Sequence, residues 1–573
     1  MEILLAPPPD AHLAVGQRFD LRASLIRATV ESVVWSVTLD GTPLEATQPS
    51  GPVWLRRGLE LTRPGSHTVR AEARDSAGAL LAIAERELFA RAWTPGPKRA
   101  RNVILLIGDG MGLAHRVAAR TVLHGVRNGH PGGFLAMERL PISGLLATSS
   151  LDAAVTDSAA AAHAFATGTK TNDWVFGLFP DETPDRDDDN ATVEPLPYLL
   201  GRLRGTATGI VTDADVTDAT PAAFLAHSGD RASRDAILRQ YVDAAQGGVL
   251  RVLMGGGGRN FTGDHEDATG AFTKQGFVVA RTAAELAETM ARVPSRLLGI
   301  FHSGPMDSAF DTQRRGDPKV VEDFPDQPTL EAMTRAALAV LSRSDEGFFL
   351  MVEENLVDKQ AHNADQERMI WAVLALDKAV AAAMEFARST NEDDDPANDT
   401  LIVVTADHET GGVVLPGVGD PAKLGTRDYV RTYETGSLPD AADANADGFP
   451  DTPDPAHKLI VHFGAAPDHY EDWQSQARPT RAALGKPGRD LVVYPNPERD
   501  GGRGLLLPGV IENSIPPDGP APNQPVHTAV DVPLSAYGPG SEALAGVHDN
   551  TELFFAILGA LGEPGRTSRS DPR

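Results

Sequence analysis

The sequence predicts an α/β protein, a mostly parallel sheet sandwiched by helices, preceded by an immunoglobulin-like β-sandwich. Two observations carry this. From residue 101 onward, short apolar runs alternate with helix-length patterns, and three of those runs end on carboxylates. Before residue 93, short alternating runs are punctuated by turn signals instead.

Taken in order, residues 1–92 form the β module. Runs at 18–25, 33–39 and 67–73 alternate as half-exposed strands do, and turns are signalled at Asp40-Gly41, Pro64-Gly65 and Ala77-Gly78. The Pro- and Gly-rich stretch 93–101 reads as a linker. Residues 102–573 then form one catalytic unit. Its strand runs are 102–108, 206–212, 249–254, 297–302, 347–352 and 400–405. Helical patterns lie between them at 114–128, 233–246, 283–292, 329–343 and 364–390. Residues 409–526 are glycine-rich and poor in helix formers, as in a large insertion, and an amphipathic helix at 550–562 closes the chain.

Composition narrows the function. Asp plus Glu number 79 against 52 for Lys plus Arg, a net charge of −27, which argues against nucleic acid or an anionic membrane as partner. An anionic substrate would have to be held by local cations. The chain has no cysteine, so disulfides, thiolate catalysis and thiolate-bound zinc are excluded. Any metal must rest on His, Asp, Glu and hydroxyl or carbonyl oxygens. No apolar run is long enough to span a membrane, and the first residues lack the pattern of a signal peptide.

In an open parallel sheet, sites form beyond the carboxyl ends of the strands. Three strands here deliver Asp109, Glu353 and Asp407-His408 to that edge. Any one could be a helix cap; three on one edge are hard to explain so. Asp358 and His362 follow at i,i+4, on one face of a short helix. In Thr156-Asp157-Ser158-Ala159-Ala160, Ser158 heads an alanine-rich helix whose N-terminus can favour an alkoxide or hold an anion. The plain alternative is that Asp157 or Ser158 only caps that helix.

These segments resemble the alkaline phosphatases. Asp109-Gly110-Met111-Gly112, Thr156 to Ala160, Asp218-Ala219-Thr220-Pro221 through Arg231, Glu353 to His362, Thr405 to His408, His527 and the closing helix all match, in the family's order. The resemblance covers about residues 102–562 and omits the β module. It implies that Ser158 is the phosphoryl-accepting nucleophile. It implies Asp109, Asp407 and His408 as ligands of one zinc, and Asp358, His362 and His527 as ligands of a second. Asp109, Thr220 and Glu353 would hold a magnesium. Arg231 would clamp the phosphate, with Lys359 and Asp218 acting through water, the bacterial pattern; many animal members carry histidine at both positions. Substrates would be small phosphate monoesters. The family is often a homodimer and often exported, so a periplasmic or secreted location is expected.

The chemistry is consistent with that assignment. Two zinc ions about 4 Å apart can clamp the attacking and leaving oxygens of an in-line displacement. Two rival functions fit these residues less well. A sulfatase would need a formylglycine in a different motif, and diesterase relatives usually carry Thr where this chain has Ser158. A non-catalytic adhesion protein would have no use for a full ligand set. Finally, residues 443–454 place Asp443, Asn445, Asp447, Phe449 (by its carbonyl), Asp451 and Asp454 at EF-hand-like spacing around Gly448. This predicts a calcium site, although position 12 is Asp and Pro450 and Pro453 break the usual flanking helix. A solvated acidic loop is the alternative, and the same reading applies to residues 181–189.

Overall fold

The computed structural model describes residues 1–26, 32–94, 96, 98–180, 190–261, 268–313, 317–419, 430–431, 443, 445–451, 459–465 and 524–562. The acidic stretch 181–189 and residues 466–523 lie outside them. A ten-stranded sheet is the frame. Its spatial order is Val278–Ala280, Leu297–Ile300, Leu250–Gly256, Ala207–Asp215, Phe348–Glu354, Asn102–Gly108, Thr400–Thr405, Val532–Tyr537, Ile142–Ala147 and Gly546–Asp549. Every neighbouring pair is parallel except the two made by Val532–Tyr537, which runs against both its neighbours. The central strands are buried along their whole length, as a sheet covered on both faces requires.

Register decides what meets at the carboxyl edge. Ile107 pairs with Glu353 on one side and Thr405 on the other, and Thr212 pairs with Glu353. Asp109 therefore leaves its strand level with Glu353 and Asp407. The strand Phe348–Glu354 leads through Asn355 into the short helix Leu356–His362. The 26-residue helix Gln366–Asn391 then packs under the sheet beside Leu330–Leu341.

Ser158 opens the helix Ser158–Thr167, all ten residues of which are buried. Asp157 caps it by accepting from the Ala160 N–H, and Gly168 closes it in the left-handed region at φ 73°. Alanine at most positions lets this helix pass close to its neighbours.

The N-terminal strands form two sheets. One runs Glu2–Ala6, Arg18–Ile26, Val53–Glu60, Gln48–Ser50; the other His12–Ala14, Leu80–Arg91, Gly65–Arg74, Val34–Leu39, Thr42–Leu44. Leu13, Phe19, Trp54, Val69 and Leu88 fill the core between them, and Phe179, Ala191 and Val193 of the larger unit join that same core. The stretch read as a linker is anchored near its two ends, where Trp93 and Ala100 are buried and the Trp93 indole donates to the Val15 carbonyl at 3.1 Å, while Thr94, Gly96, Lys98 and Arg99 are exposed. The composition of 93–101 signals a turn-rich path, whereas the bulk of Trp93 fixes where that path lies.

Gln17 ties the two units together. Its amide nitrogen donates to the carbonyls of Thr167 and Glu194, both at 2.9 Å, while its oxygen accepts from the Ala14 N–H at 2.9 Å. The β module thus satisfies a terminal carbonyl of the Ser158 helix. Gln17→Ala should strand two buried backbone groups and a half-buried one and lower unfolding stability by about 2 kcal/mol or more. Urea denaturation measures it, and an unchanged midpoint would mean that the module does not brace that helix.

Candidate active site

Among the described residues, two clusters of His and Asp ligand atoms stand at the carboxyl edge of the sheet: Asp109, Asp407, His408, and Asp358, His408, His527. In the first, His408 Nε2 lies 3.5 Å from Asp109 Oδ1 and 3.3 Å from Asp407 Oδ2. In the second, Asp358 Oδ1 lies 3.4 Å from His527 Nε2, and His362 stands beside the cluster, its Nε2 3.2 Å from Asp358 Oδ1 and 3.1 Å from His527 Nε2. The His408 and His527 rings stack at 3.6 Å, so the clusters adjoin. Ser158 Oγ stands 3.2 Å from His408 Nε2.

The backbone fixes which ring nitrogens face inward. His362 Nδ1 lies 2.6 Å from the Pro525 carbonyl and His527 Nδ1 lies 2.9 Å from the Thr156 carbonyl. A carbonyl only accepts, so both Nδ1 atoms carry hydrogen and both Nε2 lone pairs are turned into the cluster. Thr410 gives its hydroxyl hydrogen to Asp358 Oδ1 at 2.5 Å and so can only accept from His408 Nδ1 at 3.2 Å. All three imidazoles are thereby held as metal ligands need to be.

The donor set fits zinc. Ligands about 2.0–2.1 Å from a tetrahedral ion stand about 3.3 Å from one another, which matches both clusters. Asp109 Oδ1 and Asp407 Oδ2 are buried without a hydrogen-bond donor, and so is Thr220 Oγ1. Asp109 Oδ2 accepts from Asn355 Nδ2 at 2.7 Å, and the same amide lies 3.3 Å from Glu353 Oε1. Thr212 donates to Glu353 Oε2 at 2.5 Å. Asp109 and Glu353, joined through the Asn355 amide, present carboxylate oxygens of the kind a hard cation such as magnesium takes.

Electrostatics follow from crowding. Burial, then Asp407 and Asp358, pushes Asp109 well above the usual carboxylate range. Burial raises Glu353 to about 8 and Asp407 to about 6. Burial opposes ionisation of Asp358, yet the positive charge of Lys359 beside it outweighs that and holds it well below that range. Burial likewise disfavours charge on Lys359, but Asp358, Asp218 and Asp109 outweigh it and keep the ammonium.

Arg231 is aimed by two carboxylates, Asp157 at 2.8 Å and Asp218 at 3.3 Å. Asp218 also pairs with Arg234 at 3.2 Å and caps the short helix Ala219–Ala223 through the Ala219 N–H. Lys359 Nζ lies 3.3 Å from Asp358 Oδ2. Gly110, at φ 73°, is forced by close approach: a Cβ there would stand 2.7 Å from Thr410 Oγ1 and 2.9 Å from the Asp358 Cα.

Asn355, Thr212, Thr410 and the clamp role of Asp157 were not singled out by sequence reasoning. Asn355 and Thr410 adjoin predicted ligands, but only the turn after each strand shows where their side chains point. His163 takes no part in the clusters: its Nδ1 accepts from the Gly177 N–H at 2.8 Å.

Of the loop 443–454, Asp443 and residues 445–451 are described. Asp443 accepts from the Asp447 and Gly448 N–H groups, and Asn445 Nδ2 donates to Asp447 and Asp451. Phe449 stacks on Trp371 at 4.4 Å and Lys378 donates to the Asp447 carbonyl at 2.5 Å, which pins the loop to the long helix. Asp454 lies outside the described residues.

A metal-stripped chain should show the crowding directly. Glu353, at about 8 against an ordinary 4.5, keeps its proton in the folded chain where the unfolded chain has lost it. That stability is fully present below the ordinary value and is lost as pH rises through the raised one. Chelator-treated protein should therefore melt lower at pH 9 than at pH 5, and zinc with magnesium should reverse the trend because ligands bind deprotonated. A flat melting profile with no metal response would contradict the arrangement.

Comparison with known proteins agrees with the site. The family described as alkaline phosphatase matches residues 100–429. The streptomycin-6-phosphate phosphatase of Streptomyces griseus is 30% identical, covering 82% of this chain and 92% of that protein. The alkaline phosphatase of Escherichia coli K12 is 28% identical over 81% of this chain and 87% of its own. The solved alkaline phosphatase of Thermus thermophilus superposes with a TM-score of 0.55 at 26% identity, covering 82% of this chain and 93% of that one. That of the Antarctic bacterium TAB5 shares the fold at a TM-score of 0.53 and 24% identity, over 81% and 98%, and mutants of it are described with Mg bound in the M3 site. The matched segment exceeds half the chain and carries both ligand clusters' carboxylates, so the chain belongs to the alkaline phosphatase family and is a phosphomonoester hydrolase.

Proposed function

We propose that the enzyme hydrolyses small phosphate monoesters through a phosphoserine on Ser158, with two zinc ions and one magnesium. The observation that carries this is the convergence of two His/Asp clusters on the Ser158 hydroxyl at a helix N-terminus. Asp109, Asp407 and His408 would hold one zinc, Asp358, His362 and His527 the other, and Asp109, Thr220 and Glu353 the magnesium. Bound there, the ions lower the pKa of the serine hydroxyl and of the attacking water and offset phosphate charge.

The chain's own groups do the positioning. Arg231 presents two N–H groups to two non-bridging phosphoryl oxygens, its plane fixed by Asp157 and Asp218. Lys359, kept charged by its carboxylate neighbours, adds a second cation, so a chain of net charge −27 still attracts a dianion locally. Ser158 Oγ attacks phosphorus, the bond to the alcohol oxygen breaks, and the alcohol leaves with a proton. Water then cleaves the phosphoserine, releasing inorganic phosphate and restoring the hydroxyl.

In this reading the first residues form an immunoglobulin-like domain and the assembly is a homodimer, as the resemblance suggests. Calcium in 443–454 would brace the insertion and not the chemistry.

Two tests bear on this. Acid quench of enzyme reacting with radiolabelled monoester should recover phosphoserine at position 158, and Ser158→Ala should lose at least about 100-fold in kcat while still binding zinc. Label on any other residue would refute the intermediate. For the loop, Asp447→Ala should abolish a calcium-dependent rise in melting temperature without changing kcat; an unchanged calcium response in that variant would remove the site.

A further inference from the structure

Trp174 is out of keeping with its position. Its backbone sits at φ 70°, a conformation that glycine adopts freely and a bulky residue adopts against its own Cβ. Its side chain is 60% exposed, although Trp is among the residues that gain most from burial. A strained backbone and an exposed indole at one residue together suggest that the ring is needed where it stands.

Its surroundings say where that is. The Trp174 carbonyl accepts from the Arg231 N–H at 3.1 Å, and the Arg231 guanidinium lies 5.5 Å from the indole centroid. One residue earlier, Asp173 accepts from the Asp157 N–H at 3.3 Å. Asp157 in turn holds Arg231 and directly precedes Ser158. Asp173 N–H donates to Asp152 at 3.0 Å and Leu151 N–H donates to the Thr171 carbonyl at 2.9 Å, so the segments 150–157 and 171–174 are stitched together. The first of them also leaves apolar side chains in solvent, Leu151 at 42% and Val155 at 38% exposed. The result is an apolar rim headed by an indole, beside the arginine assigned above to the phosphate.

We propose that Trp174 is a specificity-determining residue, which receives the leaving group of aromatic phosphate monoesters on its indole face. This rests on the reading of Arg231 as the phosphate clamp. With the phosphoryl oxygens on Arg231, an aryl group one ester bond away lies within reach of a ring 5.5 Å from that guanidinium. Stacking there adds binding that a compact alkyl group cannot make, and inorganic phosphate, having no leaving group, does not sense it.

The experiment compares phenyl phosphate with glycerol 3-phosphate on the full chain, for wild type, Trp174→Ala and Trp174→Phe. Trp174→Ala should lower the ratio of kcat/KM for the aryl over the alkyl ester by about three- to tenfold, the size of an aromatic pair, and Trp174→Phe should recover most of it. The inhibition constant of inorganic phosphate should not move. If both esters and inorganic phosphate weaken together, Trp174 only steadies Arg231 and the inference is overturned. An unchanged ratio overturns it too, as does loss of a dimer in Trp174→Ala, which would make the rim a subunit contact. Wild-type protein inactive on both esters would instead refute the phosphatase reading, and is seen before any variant is made.

Discussion

Everything at the carboxyl edge of the sheet depends on crowding like charges out of water. Asp109, Glu353, Asp358 and Asp407 are all buried, and the oxygens of Asp109 and Asp407 that face the histidines accept no hydrogen bond. Without cations such a group is held together only by proton uptake, which is why burial raises three of the four. Metal ions convert the same repulsion into binding energy. A site built this way is a poor place for ordinary structural ion pairs and a good one for divalent ions.

The imidazoles show how little of the site is left to chance. His362 and His527 give their Nδ1 hydrogens to the distant carbonyls of Pro525 and Thr156, and His408 gives its own to the nearby Thr410. The inward-facing nitrogens of His362 and His527 are therefore set only when those segments have docked. The phosphate side follows the same logic. Arg231 is held between Asp157, which caps the Ser158 helix, and Asp218, which caps another. Two helix caps thus double as the frame of an anion clamp, and the position of Ser158 is coupled to that of Arg231 through one carboxylate.

The β module bears on the same helix from its far end. Gln17 satisfies the Thr167 carbonyl, and Asp20 accepts from the Thr192 N–H and hydroxyl and from Arg57. Phe179, Ala191 and Val193 bury themselves among the module's own core residues. Alone, each unit would expose apolar surface that the other covers, so the module is part of the folding unit that fixes the nucleophile's helix.

The strand-helix alternation, the carboxylates at the ends of three strands, the i,i+4 pair Asp358 and His362, and the serine at a helix start were all legible in the sequence. They rest on local periodicity and on the rule that chain leaving a parallel strand emerges at one edge. His527 could be placed only by resemblance, because it arrives from a distant segment beyond residues 466–523. The antiparallel strand Val532–Tyr537 was not foreseen, since pairing direction is set by the path of the chain and not by any pattern within the strand. Nor could the anchoring of Trp93 be known: the composition of 93–101 encodes a turn, while the burial of Trp93 depends on what the fold sets against it. The residues that orient the ligands, Asn355, Thr410 and Thr212, were in plain view as letters. What tertiary structure alone decided is their direction, because a side chain's hydrogen-bond partner across hundreds of residues is fixed by strand register and turn geometry, which no local window contains.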